Sequence, residues 1–222
     1  MKYYAVITAK NEAETIGGIV NSLVADKWQV IVINDGSSDD TALNAISAGA
    51  HVISQSPSIG IGRSLQRAWR VADDDGADYI RQLDAGGSHD PRQARDLLGA
   101  LIVENADMVI GSRFMPGGKY IGRKWRSFFS RLAAMMLNFA THKQFTDWTS
   151  GYRCFSRAEI EKLLEIRYYQ TMHAWQIEVL GKAIENNFNI IEVPITYTAG
   201  ESSLNVGGIS DAIMEWLWLL NR

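Results

Sequence analysis

Gln29-Val30-Ile31-Val32-Ile33-Asn34-Asp35-Gly36-Ser37-Ser38-Asp39-Asp40-Thr41 is the stretch that decides the fold. Its first half, Gln29–Asn34, is a short apolar run rich in β-branched residues, as expected of a strand buried on both faces. Its second half is a small, acidic turn in which Asp39 or Asp40 is placed to cap a helix beginning near Thr41. Strand, turn and helix in this order form half of a βαβ unit. The same alternation extends outward in both directions. Further strands are expected at Tyr3–Thr8, His51–Ser54, Tyr79–Leu83 and Met108–Ile110, separated by helical patterns such as Ile16, Ile19, Val20 and Leu23. Asp90-Pro91 has the composition of another helix start. Beyond it the chain is more helical, at Arg126–Ala140, Arg157–Leu164 and Met172–Asn186, with a strand at Asn189–Pro194. A glycine-rich break from Gly200 to Gly208 then precedes a final helix over about residues 209–222. No repeat or linker divides the chain. The expectation is one α/β domain over residues 1–222, with a mostly parallel Rossmann-like sheet flanked by helices.

Composition narrows the functional classes. The 222 residues are 46% hydrophobic with a net charge of -3, which gives no overall attraction to nucleic acid. An anion site must therefore be built locally. The single cysteine, Cys154, excludes an internal disulfide and fits a reducing compartment as a small buried hydrophobe. No basic segment leads into an apolar one at the start, which argues against secretion. No run reaches the ~20 apolar residues of a membrane span. A cytoplasmic protein is expected, soluble or seated at the cytoplasmic face of a membrane. Trp216-Leu217-Trp218-Leu219-Leu220 in the final helix suit a membrane surface or a partner subunit, and packing back onto the domain stays equally open.

Ligands of parallel sheets bind beyond the carboxyl ends of the strands. Four polar loops fall there: Lys10-Asn11-Glu12, Asn34 through Thr41, Asp84-Ala85-Gly86-Gly87-Ser88-His89-Asp90, and Gly111-Ser112-Arg113. Acidic and small residues thus converge with an arginine whose fork suits an oxyanion. Any one of these loops is also explained by ordinary turn and capping chemistry; their convergence on one rim points to a polar ligand. Gly60-Ile61-Gly62 lacks the third glycine of a dinucleotide fingerprint, and no Gly-Lys-Ser/Thr phosphate loop exists. His51, His89, His142 and His173 show no metal-ligand spacing, and only His89 falls on the rim.

These segments, in this order, resemble the family 2 glycosyltransferases, and most closely the dolichyl-phosphate mannose synthase branch acting on polyprenyl phosphates. The resemblance rests on Asn11-Glu12 with Ile16, Val32 through Thr41, Asp84-Ala85 with Ser88-His89-Asp90-Pro91, and Ile110-Gly111-Ser112-Arg113 with Gly117-Gly118. It continues through Arg126, Ser130 and Arg131, then Asp147-x-Thr149-Ser150-Gly151-Tyr152-Arg153, Glu178 and Glu192-Val193-Pro194-Ile195. It implies a GT-A fold and inverting transfer of a hexose from a nucleotide sugar, GDP-mannose or a UDP-sugar, to a polyprenyl phosphate. Thr8, Glu12 and Asp35 would contact the nucleotide, with Asp84 and Ala85 beside the diphosphate. Arg113, Arg126 and Arg131 would address donor or acceptor phosphates. Mg²⁺ or Mn²⁺ would be held chiefly by Asp84. A phosphate acceptor needs no strong base, whereas a hydroxyl acceptor would need one, for which Asp147 is the candidate.

The chain departs from the family pattern in three places. The family's metal motif is Asp-x-Asp, and this chain reads Asp84-Ala85-Gly86, with Gly86 in place of the second carboxylate. Lys10 replaces a customary tyrosine. Ser203 replaces a lysine in the loop before the last helix, where an arginine is also missing. A degenerate member that binds nucleotide or lipid, or acts as a partner subunit without turnover, is the competing class. A nucleotidyltransferase is the third, although Ile7 to Glu12 lacks the glycine- and arginine-rich loop with which such enzymes open.

Overall fold

The structure, a computed structural model, describes residues 1–169 and 174–200. His173, Ser203, the start of the helix expected from Met172, the break beyond Gly200 and the terminal helix lie outside the described residues.

The elements follow in the order β1 (Tyr3–Ala9), α1 (Ile16–Ala25), β2 (Gln29–Asp35), α2 (Thr41–Ser47), β3 (His51–Gln55), α3 (Ile61–Asp74) and β4 (Tyr79–Asp84). Then come a 3₁₀ turn at Pro91–Gln93, α4 (Ala94–Val103), β5 (Met108–Ser112), β6 (Lys119–Ile121), α5 (Lys124–Thr141), β7 (Arg153–Ser156), α6 (Arg157–Glu165), α7 (Trp175–Glu185), β8 (Ile190–Pro194) and β9 (Thr196–Thr198). The main sheet has seven strands in the order β3-β2-β1-β4-β7-β5-β8, and β6 pairs with β9 in a small second sheet. All neighbours in the main sheet run parallel except β7, which is antiparallel to both β4 and β5.

Both faces of the sheet are covered, which is why its strands read as continuous apolar runs. Along β1, Tyr4 and Val6 enter one core with Leu65, Trp69, Trp148 and Trp175. Ala5, Ile7 and Ala9 enter the other, with Ile16, Val20, Leu23 and Leu97. Within the described residues the expected strands and helices are present with small shifts at their ends, and the expected mostly parallel sheet is found. Strand β7 adds to it, and β6 and β9 form the small second sheet. At the start of α2 the capping expectation is met in modified form. Asp40 occupies the cap position without a side-chain bond, while Asp39 accepts from the Thr41 amide at 3.1 Å and from the Ala13 amide at 3.2 Å. Asp90 caps the 3₁₀ turn by accepting from the Arg92 amide at 3.0 Å. Among the described residues no helix is long and apolar enough to cross a membrane.

Candidate active site

The rim beyond the strand ends is built by knitting loops together. Asn11 takes a positive φ of 56°, a conformation asparagine tolerates because its short side chain bonds locally. Its carboxamide oxygen accepts from the Ser38 amide at 2.9 Å, and its own amide donates to Ser37 Oγ at 3.0 Å. The Glu12 amide donates to Thr41 Oγ1 at 2.8 Å. The loops after β1 and β2 are therefore one unit.

Asp35, at the end of β2, faces the loop after β3. It accepts from Gln55 Nε2 at 2.6 Å, Ser58 Oγ at 2.7 Å, and the Ile59 and Gly60 amides at 2.9 and 3.2 Å. A carboxylate offers about four acceptor positions, so all are taken within the protein. Burial alone would raise its pKa, but the donations from Ser58, Ile59, Gln55 and Gly60 outweigh it and hold the group below its ordinary value. Asp35 thus fixes residues 58–60. Direct recognition of a nucleoside through its carboxylate would require one of these donors to yield.

Asp84 closes β4 directly opposite Thr8 of β1, and its side chain is 38% exposed. Its Oδ1 lies 3.1 Å from where a Cβ on Gly151 would stand, so any side chain there would crowd the carboxylate. Ala85 turns its side chain into the core, leaving its backbone at the rim, where the carbonyl accepts from Thr15 Oγ1 at 2.8 Å. Beside Gly86, at the position of the absent second carboxylate, lies Glu12. A Cβ on Gly86 would meet Glu12 Oε1 at 3.3 Å and Oε2 at 3.5 Å. Burial raises the Glu12 pKa, Thr15 donation lowers it, and the charges of Asp84 and Asp39 raise it further.

His89 is buried. It stacks on Tyr152 at 4.7 Å and meets the Tyr197 ring edge-on at 5.1 Å. Its Nδ1 accepts from the Asp84 amide at 3.4 Å and stands 3.5 Å from Asp84 Oδ2. Burial lowers its pKa against the pull of the Asp84 charge. The ring is accordingly neutral, with Nδ1 accepting the expected rim hydrogen bond from the Asp84 backbone.

Arg113, after β5, is held by the turn that leads into β7. Its Nε donates to Asp147 Oδ2 and its Nη2 to Asp147 Oδ1, both at 2.6 Å, while Nη2 also reaches Thr149 Oγ1 at 2.6 Å. Asp147 is almost fully buried and accepts the Arg113 amide as well, at 3.1 Å. Glu192 on β8 secures the turn, accepting from the Thr146 and Asp147 amides at 2.8 and 2.9 Å. The Phe114 ring lies between two cations, with Arg113 at 4.9 Å and Arg131 of α5 at 4.7 Å from its centre. Arg126 is buried, and its Nη1 donates to the Gly200 carbonyl at 3.4 Å.

The rim thus has two lips. Thr8, Glu12 and Asp84 form one; Arg113, Asp147 and Arg131 form the other; Gly151 and His89 join them. Asp35 and Arg126 stand to the sides. Sequence reading missed the Gln55–Ser58–Gly60 clamp on Asp35 and the aromatic pair Tyr152 and Tyr197 around His89. It also missed Glu12 as the neighbour of Gly86. The polar run after β3 was the only signal for the clamp.

A family model described as "Glycosyl transferase family 2" matches residues 4–164. The chain belongs to glycosyltransferase family 2. It is 30% identical over 226 residues to a polyprenol monophosphomannose synthase of Mycolicibacterium smegmatis, covering 95% of this chain and 85% of that relative. It is 29% identical to an undecaprenyl-phosphate mannosyltransferase of Micrococcus luteus, covering 96% and 92%. Among solved structures, glucosyl-3-phosphoglycerate synthase from Mycobacterium tuberculosis in complex with UDP superposes with a TM-score of 0.74 at 21% identity, covering 99% of this chain and 80% of that one. That likeness shows the GT-A fold.

Proposed function

We propose that this glycosyltransferase moves a hexose, mannose by preference, from a nucleotide sugar to a polyprenyl phosphate with inversion at the anomeric carbon. The relatives named for mannose transfer to polyprenyl phosphates support this, since they align along nearly the whole chain. The observation that carries the reading is the commitment of the carboxylates on the acceptor lip. Asp147 is spent on Arg113 and Glu192 on the 146–147 turn. A hydroxyl acceptor would need one of them as a base, whereas a phosphate arrives already anionic.

In this reading an acceptor phosphate oxygen attacks the anomeric carbon from the face opposite the leaving group. The carbon–oxygen bond to the diphosphate breaks, and the nucleoside diphosphate departs with the electron pair. Arg113 and Arg131, bridged by Phe114, hold the acceptor phosphate. Asp35 serves the nucleoside through the 58–60 loop that it fixes. The retained donor-lip residues favour turnover over a purely scaffolding role.

A divalent cation, Mg²⁺ or Mn²⁺, supplies positive charge to the leaving diphosphate when bound. The residues present fit it: Asp84 is accessible, and the Glu12 carboxylate fills the space beside Gly86, giving hard oxygen donors. With so few protein ligands, binding is expected mainly together with nucleotide. Among the described residues no group of three or more His, Cys, Asp or Glu is arranged to hold a metal alone.

The test is incubation with GDP-mannose, UDP-glucose and related donors plus undecaprenyl phosphate, following nucleoside diphosphate release and the anomeric configuration of the lipid product. Release of pyrophosphate, or transfer only to free sugar hydroxyls, would defeat the proposal.

A further inference from the structure

We propose that Gln176, on α7, donates a hydrogen bond to the hexose of the nucleotide sugar and so takes part in selecting it. The inference rests on the in-line transfer set out above. Such a displacement requires the attacking oxygen, the anomeric carbon and the leaving oxygen to lie on one line. The hexose is then held between the leaving diphosphate beside Asp84 and the acceptor phosphate at Arg113. Gly151 joins the two lips at this point, and its lack of a side chain leaves room above it. A Cβ on Gly151 would stand 3.1 Å from Asp84 Oδ1 and 3.3 Å from Gln176 Nε2. Gln176 is therefore the neighbour of Asp84 across Gly151, at the joint where the sugar sits.

The backbone sets which end of its carboxamide faces that joint. Gln82, on β4 two residues before Asp84, donates from Nε2 to the Gly151 carbonyl at 3.1 Å and to Gln176 Oε1 at 3.0 Å. A backbone carbonyl only accepts, so the end of Gln82 that meets it is the NH₂ group. That NH₂ group in turn needs an acceptor on Gln176, which is the oxygen. The other end of Gln176 is then a donor, and among the described residues it makes no hydrogen bond. Of the two carboxamides, only the oxygen of Gln82 is sealed from solvent without a partner.

The donor is also held in place. Arg153 donates from Nη2 to the Gln176 and Trp148 carbonyls at 2.7 and 3.2 Å, and from Nε to the Ser150 carbonyl at 2.9 Å. One buried guanidinium thus ties α7 to the turn that carries Gly151. Gln176 itself is only 6% exposed. An apolar pair at 82 and 176 would spare the core the unpartnered Gln82 oxygen, which costs stability as it stands. That cost has a reason if the free end serves a ligand. A fixed, neutral NH₂ group suits a sugar hydroxyl, and a site built around such a bond rejects sugars that lack the hydroxyl.

The experiment is calorimetry of the full chain without acceptor, comparing GDP with GDP-mannose and UDP with UDP-glucose. Gln176→Met keeps the length of the side chain and removes the donor. For the pair that wild type binds, this variant should hold the free diphosphate as wild type does and the nucleotide sugar about tenfold more weakly. Gln82→Met, which releases the Gln176 carboxamide to turn, should show the same split. A series of deoxy-sugar donors then identifies the hydroxyl. Wild type should bind one of them about tenfold less well than the parent sugar, and Gln176→Met should bind both alike. An equal loss of affinity for the free diphosphate would assign Gln176 to the diphosphate or to the fold alone and overturn the proposal. Unchanged affinity for the nucleotide sugar in Gln176→Met would do the same. Should that variant not fold, equal binding of every deoxy donor by wild type overturns it as well. No acceptor is present, so failure of the polyprenyl phosphate reading would leave the result standing. Wild type that bound neither nucleotide sugar would sink the donor reading itself and this inference with it.

Discussion

Arg113 and Asp147 meet in a two-point ion pair, Nε to Oδ2 and Nη2 to Oδ1, each at 2.6 Å and both residues buried. Burial disfavours the guanidinium charge, but the Asp147 charge and its hydrogen bonds keep Arg113 protonated. In the proposed reading the pair is a fixed mount in which the two charges offset each other, and Asp147 is not the base. Asp147→Ala should leave Arg113 buried without its partner and cost about 3–5 kcal/mol of stability, read by chemical denaturation. If Asp147 acted as base instead, Asp147→Asn protein that is still folded would lose transfer to a hydroxyl acceptor.

The clamp on Asp35 predicts a pH signature. Its folded pKa lies below the ordinary value, so its contribution to stability is complete above about pH 4 and fades as the pH falls through the folded pKa. An Asp35→Asn protein should be less stable than wild type at neutral pH, the two curves converging in stronger acid. Nucleotide affinity should fall by about 1–3 kcal/mol as the 58–60 loop loosens, which calorimetry with GDP and UDP would register. Unchanged affinity in a folded variant would remove the nucleoside role.

Glu12 runs in the opposite sense. Its pKa is raised by burial and by the charges of Asp84 and Asp39, so its ionised form weakens the fold, fully above the folded pKa and not at all below the ordinary glutamate value. Glu12→Gln should therefore melt higher than wild type at neutral pH and lose that advantage in acid. It should also weaken Mn²⁺ binding in the presence of nucleoside diphosphate, measured by the electron paramagnetic resonance of free Mn²⁺. Unaltered Mn²⁺ binding would assign Glu12 to another task.

Restoring the family's second carboxylate should not simply restore a metal site. In Gly86→Asp, the new side chain starts 3.3 Å from Glu12 Oε1 and adds a like charge. Mn²⁺ binding with nucleotide should improve only in the Gly86→Asp/Glu12→Gln double variant. Improvement in the single variant would show that Glu12 does not occupy that space in the complex.

Gly118 offers a purely steric test. A Cβ there would stand 2.7 Å from the Ser112 carbonyl oxygen and 2.9 Å from the Arg113 carbonyl carbon. Gly118→Ala should displace the Arg113 backbone, destabilise the fold by about 1–3 kcal/mol and slow transfer. A wild-type melting temperature and rate would refute this.

How much of this was legible follows from which residues the sheet buries. Strands β1, β2 and β5 announced themselves because apolar side chains fill both their faces, and β4 through Tyr79, Ile80 and Leu83 despite the buried Arg81 and Gln82 between them. Strand β7 did not, since it spans only four residues and opens on the fully buried Arg153, whose Nε and Nη2 donate to the Ser150, Trp148 and Gln176 carbonyls. Its antiparallel direction has no local signature either. The short β6 and β9 exist only by pairing with each other. At the site, Asp84, Arg113 and Asp147 were visible by their place in the order of motifs. What remained invisible was which of them already had partners. That depends on contacts such as Asp35 with Gly60 or Glu12 beside Gly86, which no spacing rule encodes.

The reversed direction of β7 has a bearing on how the chain comes together during synthesis. As the polypeptide emerges, β1 to β4 can pair in sequence, but the slot between β4 and β5 stays empty until residues 153–156 have been made. For that interval β4 offers an unpaired edge, the kind of surface that recruits other chains. A nascent chain arrested before Arg153 should therefore be prone to aggregate. It would also lack the turn that carries Gly151 to Asp84 and Asp147 to Arg113. The two lips of the rim come together at the moment this one backwards strand is inserted.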